Sequence, residues 1–272
     1  MSETSILMTS VGGYLPERVV TNLDLSAKVD TSDEWIRQRT GITQRHIVAE
    51  GEKTSDLAFN AATQALERAN LKASDIDMIV IATSTPDDTF PSTATRVQHM
   101  LGAQQAIAFD VQAVCAGFVY ALDIADAMLR GGRGQRALVI GAESFSKILD
   151  WEDRSTCVLF GDGAGAVILE ASQTAEGYGI LASKLHSDGA YRDILYVDGG
   201  PSSTGKVGHL RMEGNKVFRH AVDKLSKVMD EVLDIADMQV DDVDWLVPHQ
   251  ANIRIIEGMQ KKMSLGDDQV VK

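Results

Sequence analysis

Two residues stand where covalent chemistry is plausible from type and setting. Cys115 lies in Phe109-Asp110-Val111-Gln112-Ala113-Val114-Cys115-Ala116-Gly117-Phe118, where a short apolar run reads as a strand and gives way to a helical pattern at the cysteine. Apolar residues then recur at Phe118, Leu122, Ala125 and Leu129, one face of a helix, and Gly131-Gly132 supplies the stop. A cysteine at the amino end of a helix faces unpaired N–H groups and the positive end of the macrodipole. Both favour the thiolate and are expected to hold the thiol below the ordinary value of about 8.5. The competing reading is a small apolar thiol packed in the core. His249 follows Trp245-Leu246-Val247, read as a strand, and precedes a helix carrying Ile256, Met259 and Met263 on one face. A histidine at a strand's carboxyl end is placed to act on a ligand; its other reading is a structural histidine satisfied by a hydrogen bond.

The elements around these residues alternate between strand-like and helix-like, an α/β pattern. Ser5 to Val11 reads as a strand, Thr54 to Asn70 as an amphipathic helix, Ile76 to Ala82 as a buried strand and Ser92 to Leu101 as a helix. After the cysteine helix comes a strand from Arg136 to Ile140. The segment Phe160-Gly161-Asp162-Gly163-Ala164-Gly165-Ala166 has the glycine spacing of a dinucleotide fingerprint, but it runs into Val167-Ile168-Leu169, which looks like a strand. A fingerprint must open a helix, so that function is rejected in favour of two strands joined by a tight glycine turn. Cys157, just before it, is expected to be a buried structural thiol in an apolar strand.

The chain also repeats itself. Leu66-Glu67-Arg68-Ala69-Asn70-Leu71 with Asp75-Ile76-Asp77-Met78-Ile79-Val80 matches Leu233-Asp234-Ile235-Ala236-Asp237-Met238 with Asp242-Val243-Asp244-Trp245-Leu246-Val247, at an offset of 233 − 66 = 167. Ala58, Ala62 and Leu66 map onto Leu225, Met229 and Leu233. Two copies of one helix-then-strand unit imply a duplicated α/β fold, with halves at residues 1–171 and 172–272.

Composition restricts the partners. The 272 residues are 44% hydrophobic and 24% charged, ordinary for a globular chain, and the net charge of −13 argues against general affinity for nucleic acid or anionic lipid. Two cysteines give no disulfide framework, every long apolar run is broken by a charge, and no targeting segment is visible. A cytoplasmic location is expected. His46, His99, His186, His209 and His220 show no metal-ligand spacing with one another or with the cysteines, so no metal and no resident cofactor are expected.

Several motifs in order carry a family resemblance. Thr31-Ser32-Asp33-Glu34-Trp35-Ile36-Arg37-Gln38-Arg39-Thr40-Gly41-Ile42, the Cys115 segment, the Gly161 to Gly165 segment and Val247-Pro248-His249-Gln250-Ala251-Asn252 closely resemble β-ketoacyl-acyl-carrier-protein synthase III, a thiolase-like condensing enzyme. The resemblance implies two similar halves in a layered αβαβα fold. It implies an acyltransferase that condenses a short acyl-coenzyme A, acetyl-coenzyme A by default, with malonyl-acyl-carrier protein, losing carbon dioxide and starting type II fatty-acid synthesis. Cys115 matches its nucleophile, and His249 the histidine of the decarboxylating half-reaction. Trp35 and Arg154 match the pair that sandwiches the adenine of coenzyme A, and Arg39 a residue near its phosphates. Thr31, Gly214 and Asn252 join the substrate-binding set. Phe90 matches an aromatic that closes the partner subunit's acyl pocket, so a homodimer is implied. Arg219, Gln250, Ala251, Asn252, Ile253, Arg254, Lys261 and Lys262 match the surface that meets the carrier protein. Because that protein is acidic and this chain carries −13, docking is expected to rely on a concentrated basic patch.

One departure stands out. The family's catalytic asparagine, in a Gly-Asn-Thr-Ser motif downstream of the histidine, and its final strand pair are absent from the sequence. At the repeat offset, Lys272 corresponds to position 105, so the second copy is expected to stop before the counterpart of the strand leading to Cys115. Missing central strands would leave unpaired edges, which argues for a longer polypeptide or a lost segment over a functional short form. Two functional readings follow: a synthase III-type acyltransferase that needs the missing segment for full condensation activity, or a condensation-deficient form that only binds coenzyme A or is acylated on Cys115. A related enzyme of secondary metabolism is a further alternative, because pocket shape sets the choice of primer.

Overall fold

The computed structural model describes residues 4–175 and 177–272. In chain order the elements are β1 (Ser5–Tyr14), β2 (Arg18–Thr21), α1 (Asn22–Ser26), α2 (Asp33–Thr40), β3 (Gln44–Ile47), α3 (Thr54–Ala69), β4 (Met78–Ala82), α4 (Thr93–Leu101) and β5 (Ile107–Val111). They continue with α5 (Gly117–Arg130), β6 (Arg136–Ser144), α6 (Arg154–Cys157), β7 (Asp162–Ser172), β8 (Leu195–Val197), β9 (Leu210–Met212), α7 (Gly214–Ala236) and α8 (Ile253–Met263). The chain forms two compact units. One holds the residues up to Arg18, His46–Phe145 and Gly161–Ser183; the other holds Val19–Arg45, Ser146–Phe160 and Lys184–Lys272.

The first unit is built on a five-stranded sheet in the order β1-β7-β6-β4-β5. β4 runs parallel to β5 and β6, while β7 is antiparallel to β6 and β1. β4 is apolar and buried at all five positions, as a strand covered on both faces requires. One face packs against α3 and α4 through Ala58, Ala61, Ala62, Ala65 and Val97, the other against α5 through Ala121, Ala125 and Leu129. Small residues on α3 let it approach β1 closely. A Cβ on Gly12 would stand 2.2 Å from the Ala61 carbonyl oxygen, so no larger residue fits there.

The glycine-rich segment corrects one expectation. Asp162 to Ser172 is a single strand, pairing with β6 from Ser144↔Asp162 to Arg136↔Glu170 and with β1 on its other edge. A tight hairpin turn needs positive φ, and Gly161, Gly163 and Gly165 are absent from the positive-φ residues. These glycines also open no helix, so the rejection of a dinucleotide site stands. Cys157 is fully buried, as expected, but it ends the short helix α6 and lies in no strand.

The second unit contains the β8–β9 hairpin and the packed pair α7 and α8, whose core joins Ile255, Ile256, Met259 and Met263 to Leu246, Leu265 and Val270. The repeat is visible down to hydrogen bonds. Asn70 and Asp237 both end their helices at φ 53°, Leu71 N–H bonds Leu66 O as Met238 N–H bonds Leu233 O, and Ala73–Asp75 and Val240–Asp242 are matching 3₁₀ turns. Two expectations change in this copy. Trp245–Val247 forms no strand: only Leu246 makes a bridge, to Val270, through Leu246 N–H to Gln269 O and Val271 N–H to Leu246 O. After it the offset drops, because the helix-ending αL residues Gly102 and Ser264 lie 264 − 102 = 162 apart. The strand-to-helix connection is therefore shorter in the second copy. Leu246 pairs with Val270 as Ile79 pairs with Ala108, so the copy reaches the start of the strand that was expected to lie beyond it.

Candidate active site

Cys115 sits between β5 and α5, in a 3₁₀ turn over Val114–Ala116 that runs directly into the helix at Gly117. The turn is sharp: Val114 has φ 50°, a left-handed conformation that costs a β-branched side chain about 1–2 kcal/mol. The cysteine that follows is solvent-exposed, in contrast to Cys157. The core-thiol reading of Cys115 fails on that point. Asp110, at the end of β5, accepts the N–H groups of Thr93 at 2.7 Å and Ala94 at 2.8 Å, so the strand that leads to the cysteine is locked to α4.

The expected thiolate is not favoured here. Surrounding protein crowds the thiol although one side is open, and this desolvation pushes its pKa up. The Glu143 carboxylate pushes the same way, and only the cysteine's own backbone N–H pulls it down. The group is a neutral thiol at neutral pH. Glu143 ends the apolar run of β6 and accepts Ser84 N–H at 2.8 Å, the Thr85 hydroxyl at 2.6 Å and the Thr83 hydroxyl at 3.4 Å. Burial raises its own pKa despite those bonds. Sequence reasoning passed over Glu143; its only signal was a lone carboxylate after six consecutive small or apolar residues, Ala137 to Ala142.

His249 lies in the short connection between Leu246 and α8, following buried Pro248. Asn252 caps α8 by accepting the Arg254 N–H at 2.9 Å, and Gln250 anchors the connection by donating to Pro248 O and Val271 O. The imidazole makes no hydrogen bond to the described residues, and desolvation pushes its pKa down, so it is neutral at pH 7. A neutral ring with a free N–H can donate to developing negative charge.

A second cluster gathers Trp35, Arg39 and Arg154. Ser32 caps α2 through Trp35 N–H, and the guanidinium carbons of Arg39 and Arg154 lie 5.0 and 5.3 Å from the centroid of the Trp35 ring. Arg154 is also tied to the carbonyl of Asp30. Next to Asp30, the Thr31 hydroxyl is buried with no hydrogen-bond partner. Gly41 ends α2 at φ 78°, and its backbone packs on Ile253 at the start of α8. Phe90 is 83% exposed, Gly214 opens α7, and Arg219 and Lys261 are exposed on α7 and α8. Arg254 lies over the Phe218 ring at 5.9 Å, while Lys262 is paired with Asp223 at 3.0 Å. Among the described residues, no cluster of three or more His, Cys, Asp or Glu is placed to hold a metal, and no helix is long and apolar enough to cross a membrane.

Comparison with known proteins gives this arrangement a family. Residues 109–189 match the family described as 3-oxoacyl-[acyl-carrier-protein] synthase III, and residues 233–272 match its C-terminal counterpart. The chain is 60% identical over 263 residues to the β-ketoacyl-[acyl-carrier-protein] synthase III of Paramagnetospirillum magneticum, covering 96% of this chain and 81% of the relative. Its fold superposes on the crystal structures of the synthase III enzymes of Aquifex aeolicus, with a TM-score of 0.91 and 44% identity, and Pseudomonas aeruginosa, with 0.92 and 42%. Each alignment covers 98% of this chain, with 83% and 82% of those two structures respectively. The fold is thiolase-like, and the chain belongs to the β-ketoacyl-acyl-carrier-protein synthase III family of condensing enzymes.

Proposed function

We propose that this enzyme condenses an acyl-coenzyme A, acetyl-coenzyme A by default, with malonyl-acyl-carrier protein to start fatty-acid synthesis, and that Cys115 carries the acyl group. In the first half-reaction the Cys115 sulfur attacks the thioester carbonyl, the bond to the coenzyme A sulfur breaks, and the thiol proton leaves with coenzyme A. A thioester keeps the transferred carbon electrophilic. In the second, malonyl-carrier protein loses carbon dioxide, and its α-carbon attacks the Cys115 thioester. The Cys115 sulfur then leaves and takes up a proton. The role assigned to His249 is to donate its ring N–H to the enolate oxygen, which requires the neutral form.

Coenzyme A is seated, in this reading, with its adenine between Trp35 and Arg154, its phosphates towards Arg39, and Thr31, Gly214 and Asn252 lining its path. Two van der Waals gaps need about 7 Å between the flanking planes, so Arg154 must withdraw from its present 5.3 Å. The basic residues Arg219, Arg254, Lys261 and Lys262, with Gln250, Ala251 and Ile253 beside them, form the carrier-protein surface; the enzyme works as a cytoplasmic homodimer in which Phe90 closes the partner's acyl pocket.

The observation that carries the reading is the solvent-exposed Cys115 on a strained turn at the foot of α5. The test separates the half-reactions. Incubation with acetyl-coenzyme A followed by peptide mass spectrometry should find acetyl on the Cys115 peptide and none on Cys157. Adding malonyl-carrier protein should discharge it with release of carbon dioxide. An adduct that persists with malonyl-carrier protein present would leave acylation standing and remove condensation.

A further inference from the structure

The buried guanidinium of Arg45 has no part in the chemistry above, yet it lies at the centre of the coenzyme A cluster's support. Arg45 is 5% exposed, its Nε is buried without a hydrogen-bond partner among the described residues, and no carboxylate is among the partners of its other nitrogens. It donates instead to three oxygens: Val20 O at 3.3 Å, Asn22 Oδ1 at 2.9 Å and Val158 O at 2.9 Å. Asn22, 1% exposed, passes the link on, its amide donating at 2.8 Å both to Asp33 Oδ1 and to Ile42 O. Asp33 is the first residue of α2, and Ile42 follows its last turn, so both ends of the helix bearing Trp35 and Arg39 are held. Val158 follows the last residue of α6, the helix that starts with Arg154, and its carbonyl belongs to that unsatisfied helix end.

We infer that Arg45 is a positioning residue for coenzyme A, holding the Trp35 helix and the Arg154 helix in fixed register so that only the Arg154 side chain has to move to admit the adenine between them. The inference rests on the proposed seating of the adenine there. Chemistry explains the residue type. A planar fork reaches two separate stretches at once, one nitrogen bonding Val20 O and Asn22 Oδ1 and the other Val158 O, whereas a lysine ammonium is a point charge on one stem. A buried cation without a carboxylate is a poor way simply to stabilise a fold. Its acceptors instead join the two segments that carry the stacking side chains, which preorganisation of a ligand seat requires.

The experiment compares two acyl donors on Arg45→Met, which keeps much of the volume and removes the fork. Acetyl-coenzyme A carries the nucleotide; acetyl-pantetheine has the same thioester and lacks it. The expected result is at least a roughly tenfold rise in KM for acetyl-coenzyme A, with KM for acetyl-pantetheine within about twofold. An equal change for both donors, or none for acetyl-coenzyme A, overturns the inference. Should Arg45→Met fail to fold by circular dichroism, Asn22→Leu cuts the link to α2 with Arg45 in place, and the same split is required of it. Trp35→Ala in the same assay separates the layers. If it leaves KM for acetyl-coenzyme A unchanged, the adenine seat itself is wrong and the inference falls with it; if it raises KM while Arg45→Met does not, only the role of Arg45 falls.

Discussion

Cys115 and His249 owe their charge states to the same cause acting on opposite kinds of group. Desolvation disfavours the charged form, so the thiol is pushed up and the imidazole down, and both rest neutral. Glu143 adds to the effect on Cys115, and its removal is testable. Glu143→Gln should move the midpoint of the pH dependence of Cys115 alkylation by iodoacetamide to lower pH. That midpoint should stay above the ordinary value of about 8.5, because burial is the larger cause. A midpoint that does not move would remove Glu143 from the account of the thiol. For His249 the sign runs the other way. Its folded pKa is below the unfolded value of about 6.5, so in that window the unfolded chain binds more protons. Stability therefore rises with pH there, and acidification below about 6.5 progressively charges the ring and destabilises the fold. The decarboxylation rate, measured against pH, should likewise keep its acid limb below about 6.5, and His249→Ala should abolish that limb.

At the scale of elements, the turn at Val114 and the ends of α2 and α8 do the positioning. α2 stops at Gly41 because φ 78° suits glycine, and its backbone rests on Ile253, the first residue of α8. An added Cβ there would meet the Ile253 Cβ at 3.0 Å. Gly41→Ala should accordingly cost about 1–2 kcal/mol for the left-handed conformation alone. It should be read as a lower urea midpoint with an unchanged slope. Because α2 also bears Trp35, the same variant should raise KM for acetyl-coenzyme A; a stability loss with no change in KM would separate the two roles of the helix. The duplicated elements show how one plan serves two purposes. The strand-to-helix connection is long in the first copy and carries exposed Phe90; it is short in the second and carries His249.

For the whole molecule, charge decides how a partner is met. A net charge of −13 opposes an acidic partner, and Lys262 of the proposed docking surface is paired with Asp223. Arg219, Arg254 and Lys261 are left to carry the attraction proposed for that surface. Arg254→Glu should raise KM for malonyl-carrier protein, more at low salt than at physiological ionic strength, where the screening length is about 8 Å. Acylation of Cys115 by acetyl-coenzyme A should be spared. Equal loss in both half-reactions would show that Arg254 supports the fold and does not read the partner.

Periodicity and motif spacing, both local, were legible in the chain. They located α3, α4, α5, β4 and α8 to within a few residues, and singled out Cys115 and His249. The repeat at 167 residues survives in the structure as matching caps and turns, because hydrogen bonds within a helix end depend on neighbours in sequence. What failed depended on neighbours in space. Gly161 to Gly165 read as a turn because glycine permits one, but pairing partners on both sides of β7 draw it into a straight strand. Trp245–Val247 read as a strand because its residues favour one, but only Leu246 has a partner. The thiol's proton affinity was read from its place before a helix. Tertiary structure reversed it, because desolvation and the Glu143 carboxylate come from segments the local pattern cannot see. Thus the sequence alone determined which residues are candidates to react and in what order the elements come; only the fold decided their charge states, their exposure and the buried link from Arg45 to the helices of Trp35 and Arg154, because those depend on what the chain brings alongside.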